Sequence, residues 1–514
     1  MPSKLYSCAL KGIEAYGVEI EVDILNGLSR FMVVGLPDAA INEAKERVRS
    51  ALVNSGAKFP HQRKVVNLAP ADVRKCGPAF DVAIAIGLLM ESGQLTLTES
   101  CLDKTIFMGE LALDGSVRAT EGLLSCALWA RANGYKKMVV PALNLEEVLL
   151  ATELDVVPIK SLKQLILHLQ GRAPIPPCRA ARAHRVLEAW GERAPILIKG
   201  LRASTAALRA LAISSAGGHH LVMAGPPGSG KTLLAQLLPS LLPPLDEEEM
   251  IELTRIYSAA GLLPAHRSLV STRPFRSVHH TASAVSLIGG GAGLRPGEIS
   301  LAHRGVLFLD ELLEFPRDLL ESLRQPLEDR HIIVARANGT VEFPSHFILA
   351  GSMNPCPCGY QGDTKQTCHC SGAAISRYRK RLSGPLLDRI DLILNMQRLT
   401  FDQLNGNEDI PLEALYGEIL RARLMQKKRF GSSVILNSDL SPAQVQQFCA
   451  LDSAGEKLLR DSMDHLNLSA RGYHRVLKVS RTIADMKGST EIDYEHLLEA
   501  LQYRSKLFEP TMAS

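Results

Sequence analysis

Apolar residues recur along this chain in three different rhythms, and each predicts its own architecture. Over residues 5–169, short apolar or alternating segments at 18–24, 31–34, 64–68 and 138–140 predict β-strands interleaved with helices. The turn formers Asn26-Gly27 and Asp114-Gly115 predict hairpins. From 196 to 395, short continuous apolar runs alternate with helical stretches, the pattern of an α/β domain around a parallel sheet. Beyond 399 the strand signal stops. Apolar spacing of three and four over 412–430, 442–450, 455–466, 469–486 and 494–507 then predicts an all-helical unit. Between the first two regions, Ala173-Pro174-Ile175-Pro176-Pro177 with Arg179, Arg182 and Arg185 reads as an exposed linker. The expected units are therefore an α+β domain at 1–170, a linker at 171–195, an α/β domain at 196–395 and a helical domain at 396–508.

Composition narrows the class without changing this picture. At roughly 100 to 200 residues per domain, 514 residues accommodate about three domains. A content of 46% hydrophobic and 22% charged residues excludes disordered and collagen-like chains. Lys+Arg 58 minus Asp+Glu 54 leaves a net charge of +4, too small on this length to mark a nucleic-acid binder, so any such reading needs local patches. The most apolar run, 82–90, is far shorter than the roughly 18 residues of a membrane span. The start, Met1-Pro2-Ser3-Lys4, lacks the basic-then-apolar form of an export signal, so a cytoplasmic protein is expected. Its ten cysteines should then be mostly thiols.

The strongest chemical signal is a phosphate loop. The apolar Leu221-Val222-Met223-Ala224 runs into Gly225-Pro226-Pro227-Gly228-Ser229-Gly230-Lys231-Thr232 and then a helical stretch. Backbone N–H groups of such a loop and the helix N-terminus face an anion, the lysine adds charge at the outer phosphates and the threonine ligates Mg²⁺. A second apolar strand, Val306-Leu307-Phe308-Leu309, ends in Asp310-Glu311. Carboxylates at a buried strand end need a cation or a reaction to serve, so Asp310 is expected in the Mg²⁺ shell and Glu311 as the base on the attacking water. A third, 347–353, ends at Asn354, where an amide can sense the γ-phosphate. Arg389 in Leu386-Leu387-Asp388-Arg389 and Arg471 in Ser469-Ala470-Arg471 are candidates for stabilising the transferred phosphoryl group, with salt-bridged surface arginines as the alternative.

This set of residues resembles the ComM/YifB family of magnesium-chelatase-like AAA+ ATPases. The resemblance lies in Arg273-Pro274-Phe275-Arg276-Ser277-Val278-His279-His280-Thr281, Gly289-Gly290-Gly291, Arg295-Pro296-Gly297-Glu298-Ile299-Ser300, Met353-Asn354-Pro355-Cys356-Pro357-Cys358-Gly359, 382–391 and 468–485. It implies ATP with Mg²⁺ as cofactor, Asn354 as sensor 1, Arg389 as an arginine finger on the neighbouring subunit, Arg471 as sensor 2, and hence a homo-oligomeric ring, expected to be a hexamer. It also implies that a hairpin over 330–343, turning at Asn338-Gly339, and an insert around His279 face a central pore. Val278 stands where the family pattern has proline, and Leu201 where AAA+ proteins usually have glutamine.

The N-terminal region, with Gly77-Pro78-Ala79-Phe80-Asp81 and Gly109-Glu110-Leu111, resembles the proteolytic domain of Lon proteases. That pattern has its nucleophilic serine where Ala79 stands and its lysine where Leu124 stands, so the dyad is missing. Ser92, Ser125 and Lys75 leave a displaced dyad as the minor alternative, and an assembly or substrate-binding module as the main one.

Cys356, Cys358, Cys368 and Cys370 form the one cysteine cluster, and four thiolates that converge make a structural Zn²⁺ site. The tight C-x-C spacing weighs equally for free thiols. His279-His280 reads as a pore contact or as hydrogen-bonded loop structure, the latter favoured. The basic runs Arg377-Tyr378-Arg379-Lys380-Arg381 and Arg421, Arg423, Lys427, Lys428, Arg429 suit a nucleic-acid groove or an ordinary paired surface equally. Through the resemblance, the expected activity is a DNA motor of branch migration in natural transformation. Single-stranded or branched DNA is then the expected partner, and no membrane is involved. The alternatives are a protein-remodelling ATPase, or a magnesium-chelatase subunit.

Overall fold

Period-two burial along the second strand, where Val18, Ile20 and Val22 point inward, builds the N-terminal sheet. In the computed structural model, which describes residues 2–97, 102, 104–151, 153–179, 204–263, 269–291, 294–336, 339–363, 365–398, 412–466 and 468–504, nine strands form in this region. They are β1 (Ser3–Lys11), β2 (Glu14–Leu25), β3 (Phe31–Val34), β4 (Arg63–Ala69), β5 (Thr105–Phe107), β6 (Glu110–Leu111), β7 (Val117–Arg118), β8 (Lys137–Pro141) and β9 (Asp155–Ile159). Seven make one sheet in the order β3-β4-β2-β1-β5-β8-β9. Helices α1 (Ala39–Asn54) and α2 (Asp81–Glu91) share one apolar cluster on one face, and α3 (Leu123–Ala132) belongs to another. At Gly87 a Cβ would stand 2.5 Å from Val22, so glycine lets α2 lie directly on the sheet.

Asp114-Gly115 joins β6 to β7 as predicted. Asn26-Gly27 does not make a hairpin. The free edge of β2 is taken by β4, which pairs antiparallel from Leu25 opposite Arg63 to Glu19 opposite Ala69, so β3 is displaced to the far side of β4, in parallel. The first part of the expected linker is extended but tied down: Cys178 exchanges two backbone hydrogen bonds with Val156, and Arg179 pairs with Asp155 at 2.5 Å. Residues 180–195, and Leu201, lie outside the described residues.

The second region holds α4 (Thr205–Gly217), β10 (Leu221–Ala224), α5 (Lys231–Leu241), α6 (Glu247–Ala259), β11 (Phe275–Val278), β12 (Gly289–Gly290), β13 (Arg295–Pro296), β14 (Val306–Leu309), β15 (His331–Arg336), β16 (Gly339–Pro344), β17 (Ile348–Met353), α7 (Gly372–Arg379) and β18 (Leu392–Asn395). Five strands pair in parallel in the order β11-β14-β17-β10-β18, which aligns their C-terminal ends along one edge. In a parallel sheet that edge is where ligands bind.

The third region is helical, as expected: α8 (Leu412–Phe430), α9 (Pro442–Phe448), α10 (Ser453–Leu466), α11 (Ala470–Lys487) and α12 (Tyr494–Gln502). It does not have a core of its own. Ile419, Val476, Ile483 and Leu497 share one apolar cluster with α4, α5 and β10, because α4 is apolar on nearly every face and needs cover on both sides. Arg209 on α4 seals the contact, reaching Glu418 and Glu499 at 2.7 Å each.

Candidate active site

All four residues of β10 are buried, and the phosphate loop follows at the ligand-binding edge. Gly228 and Gly230 have φ of +77° and +84°, which only glycine adopts without strain, and no atom lies within 4 Å of where a Cβ would stand at either. The loop is thus open above its backbone. Its near end is anchored by Gly225 N–H donating to Met353 O at 3.1 Å. Lys231, at the start of α5, turns its Nζ to Gly225 O at 2.7 Å and Pro226 O at 2.9 Å, and stands 3.5 Å from Asn354 Oδ1. Thr232 Oγ1 and Asp310 Oδ2 are 3.4 Å apart, a separation one Mg²⁺ with ligand distances of about 2.1 Å bridges. These residues fit Mg²⁺ and the phosphates of a nucleotide.

Burial pushes the Lys231 ammonium down to about 8, against the pull of Asp310 and Glu311. The protonated form pairs with phosphate and prevails below that value. ATP affinity is therefore expected to be level below pH of about 8 and to fall above it, read by titrating a fluorescent ATP analogue from about pH 7 to about pH 9. Constant affinity across that window would contradict a partly desolvated lysine.

Asp310 and Glu311 follow β14. Glu311 has φ of +53°, a left-handed conformation rare outside glycine, asparagine and aspartate, and it turns the carboxylate out of the strand line. Two side chains flank this corner: Ser352, which the sequence did not single out, and His280, which it did not place beside the carboxylates. Ser352 donates to Asp310 Oδ1 and accepts the Glu311 N–H at 3.3 Å. His280 Nδ1 stands 3.4 Å from Glu311 Oε2, and its ring stacks against His279 with centroids 4.0 Å apart. Strand register brings both here: Gly351 is level with Leu309, and Val278 with Leu309 from the other side. His279 bonds Thr281 at 2.9 Å and so belongs to hydrogen-bonded loop structure, whereas His280 Nδ1 is buried beside Glu311 with no hydrogen-bond partner among the described residues.

Arg389 lies elsewhere. It precedes β18, whose Leu392 is level with Leu221 at the start of β10, so it sits at the opposite edge of the sheet from its own phosphate loop. It is buried, donating to Pro385 O at 2.7 Å and pairing with Glu328 at 2.6 Å. Arg471, at the start of α11, reaches the other oxygen of Glu328 at 3.2 Å. One carboxylate holds both arginines side by side. Next to them a cavity of about 630 Å³ opens between the sheet domain and the helical domain, lined by Arg330, Arg475 and Lys478 among others.

The four cysteines converge. Their sulfur atoms all lie within 4.8 Å of one another, with Cys356 to Cys358 at 3.4 Å, Cys356 to Cys368 at 3.7 Å and Cys358 to Cys368 at 3.6 Å. Tetrahedral Zn²⁺ with Zn–S of about 2.3 Å sets its sulfurs about 3.8 Å apart, so the set fits that ion. The Tyr360 N–H points at Cys358 and holds its thiol down at about 6, whereas the Cys370 N–H points at Cys368 but the crowded neighbouring sulfurs push that thiol up to about 12. Such donors offset the surplus negative charge of four thiolates.

The dyad positions of the N-terminal domain are closed. Ala79 and Leu124 pack into one apolar cluster completed by Leu245, Met250 and Leu253 of the sheet domain. Polar contacts lock α6 there: Ser258 bonds the buried Glu147 and accepts the Gly122 N–H at 2.9 Å, while Arg255 pairs with Glu14 at 2.9 Å. Ser125 donates to Ile13 O and Ser92 to Leu89 O, and Lys75 Nζ is buried with no hydrogen-bond partner among the described residues. These three side chains therefore do not form a displaced dyad.

The basic runs are largely spent on internal bonds. Arg379 donates to Pro355 O and Gln361, Arg381 to Leu313 O and Glu314, Arg423 to Ser215 O, and Arg429 to Asp485. Arg377, Lys380, Lys427 and Lys428 stay exposed. Among the described residues no helix is long and apolar enough to cross a membrane.

A phosphate loop after β10, paired carboxylates after β14 and an amide after β17 on one parallel sheet define a P-loop ATPase of the AAA+ class. Residues 198–404 match the family described as magnesium chelatase, subunit ChlI; residues 20–144 match subunit ChlI of Mg-chelatase and 413–504 its C-terminal part. The chain is 40% identical to competence protein ComM of Haemophilus influenzae over 505 residues, 98% of this chain and 97% of that protein. It is 39% identical to YifB of Escherichia coli over 510 residues, 98% and 97% of the two. An archaeal Lon protease of Methanocaldococcus jannaschii is 25% identical over 196 residues, 38% of this chain and 25% of that protein. The chain belongs to the ComM/YifB family of magnesium-chelatase-like AAA+ proteins.

Proposed function

We propose that the protein forms a homo-oligomeric, hexameric ring that converts ATP hydrolysis into movement along DNA, driving branch migration or unwinding of strands that recombine during natural transformation. The observation that carries this reading is the meeting of two inserts. The β12–β13 ribbon and the β15–β16 hairpin lie side by side, with Arg336 Nε 3.3 Å from the point a Cβ would occupy on Gly290. The hairpin is clamped from behind, since Val341 and Phe343 pack on the Gly12 turn of the N-terminal domain, while Ile333 and Arg336 stay exposed. A cation for phosphate on one face of the hairpin and an apolar contact for bases on the other suit a nucleic-acid strand passing its exposed end. The Haemophilus relative is named a competence protein, which agrees with this substrate.

In this reading the loop from Gly225 to Thr232 cradles the phosphates, Thr232 and Asp310 hold Mg²⁺, Glu311 takes the proton of the attacking water and Asn354 senses the γ-phosphate. Mg²⁺, when bound, neutralises charge on the phosphate oxygens. Arg389 and Arg471 act together on the nucleotide of the neighbouring subunit, and Zn²⁺ occupies the four cysteines.

ATP hydrolysis is expected to rise when single-stranded or branched DNA is added, and the stimulation to fade as salt is raised. A rate indifferent to every DNA at low salt would move the search to protein substrates. The closed dyad positions weigh against a protease in that case.

A further inference from the structure

The loop that carries the four cysteines does more than follow sensor 1. Among its described residues, 354–371 contain neither helix nor strand, so the loop is shaped by two short turns, Gly359 N–H to Cys356 O and Asp363 N–H to Tyr360 O, and by side-chain contacts. Within seven residues, Met353 to Gly359, the chain touches the phosphate loop three times. Met353 O accepts the Gly225 N–H, Asn354 faces Lys231, and Gly359, directly after Cys358, abuts Pro227. A Cβ on Gly359 would stand 2.8 and 2.9 Å from Pro227 Cδ and Cγ, and Gly359 has φ of +85°. Its bare backbone is thus seated on the middle of the nucleotide loop. From the other side Arg379 holds Pro355 O at 3.3 and 3.4 Å, and Arg398, just past β18, pairs with the buried Asp363 carboxylate at 2.9 Å.

We propose that the four-cysteine site is a metal-dependent brace of the nucleotide pocket: with Zn²⁺ bound, the loop presses on Pro227 and holds the phosphate loop and Asn354 in their ATP-binding positions, and without it ATP binding weakens. The inference rests on the cysteines holding Zn²⁺. Three of the sulfurs lie 3.4 to 3.7 Å apart and the fourth within 4.8 Å of them, all as free thiols, so a bound metal would be the direct tie between the two cysteine pairs. The loop begins at Asn354, two residues before the first ligand, and slack there passes directly to the nucleotide.

The test reads zinc and ATP binding separately. Full-length protein purified without chelator is expected to carry about one zinc per chain. Stripping the zinc, with Mg²⁺ later restored in excess, should raise the Kd of a fluorescent ATP analogue by about tenfold, and adding Zn²⁺ back should reverse it. The variant Cys358→Ser/Cys368→Ser should lose zinc and bind ATP as weakly as the stripped protein. Gly359→Ala keeps all four ligands, so it should retain zinc and still bind ATP about tenfold more weakly, by pushing on Pro227. Should the cysteine variant fail to fold, stripping and Gly359→Ala decide. Zinc-bearing protein whose ATP affinity ignores stripping, or a Gly359→Ala variant that binds like wild type, overturns the brace and leaves the metal site standing. Wild-type protein without zinc overturns both.

Discussion

Replacing Glu311 by glutamine is expected to leave ATP binding near the wild-type value and to lower kcat by on the order of 10² to 10⁴. The amide keeps the size and polarity of the side chain but takes no proton. Binding is expected to survive because the groups proposed to hold the phosphates and Mg²⁺, the loop glycines, Lys231, Thr232 and Asp310, do not include residue 311. The backbone there is held independently: its N–H bonds Ser352, which also bonds Asp310, so the left-handed turn at φ of +53° persists in the variant. His280 loses a charged neighbour at 3.4 Å and keeps an oxygen to face. Equilibrium binding of a fluorescent ATP analogue beside steady-state phosphate release checks the split. Parallel loss of both would mean that Glu311 holds nucleotide and is not the base.

The second large effect is expected at Arg389. Its removal should reduce ATP hydrolysis by about 10³ to 10⁵, the range of an arginine finger, with little change in ATP affinity. The residue stands before β18 at the far edge of the sheet, so it does not serve its own phosphate loop. It is also spoken for: Glu328 holds it at 2.6 Å, and Arg471 shares the same carboxylate. A neighbour's triphosphate competes with one carboxylate for two arginines, which leaves a net positive charge to offer. In Arg389→Ala, Glu328 keeps Arg471 as a partner, so no buried charge is orphaned and the fold should hold. Mixing Arg389→Ala subunits with Glu311→Gln subunits should restore part of the activity, because each interface at which a Glu311→Gln subunit presents its arginine to an Arg389→Ala subunit pairs an intact finger with an intact base. A mixture as inactive as its parents would place the finger and the base in one subunit.

Both experiments concern side chains that were visible in the sequence for different reasons. Gly225 to Thr232 are eight consecutive residues whose function is carried by their own backbone, so the text of the chain and the geometry of the site coincide. The same holds for Asp310-Glu311 and Asn354, because a strand four to six residues long delivers its next residue to one edge of a parallel sheet whatever lies beside it. Ala79 and Leu124 announced an absent dyad by side-chain chemistry alone. The cysteine pairs were legible as a cluster, although two C-x-C pairs do not say whether they meet.

Other features depended on which strands lie side by side. Asn26-Gly27 has ideal turn residues, yet β4 outcompetes β3 for the edge of β2 through a seven-residue antiparallel ladder. Ser352 and His280 reach Asp310 and Glu311 only because β17 and β11 flank β14 in that register. The arginines of the basic runs look free in sequence and are bonded to carbonyls and carboxylates far along the chain.

The sequence by itself determined that this chain carries a phosphate loop and strand-end carboxylates suited to a nucleoside triphosphate with Mg²⁺, that its N-terminal domain lacks the serine–lysine pair, and where one strand-based domain gives way to helices. Tertiary structure alone decided that four thiols meet beside the phosphate loop, that α6 closes the vacant dyad positions, and that Arg389 and Arg471 converge on Glu328. The division has a physical cause. Backbone-borne and single-residue chemistry is local and survives in the order of residues, whereas a contact between side chains a hundred residues apart exists only once burial and strand pairing have chosen one packing among many.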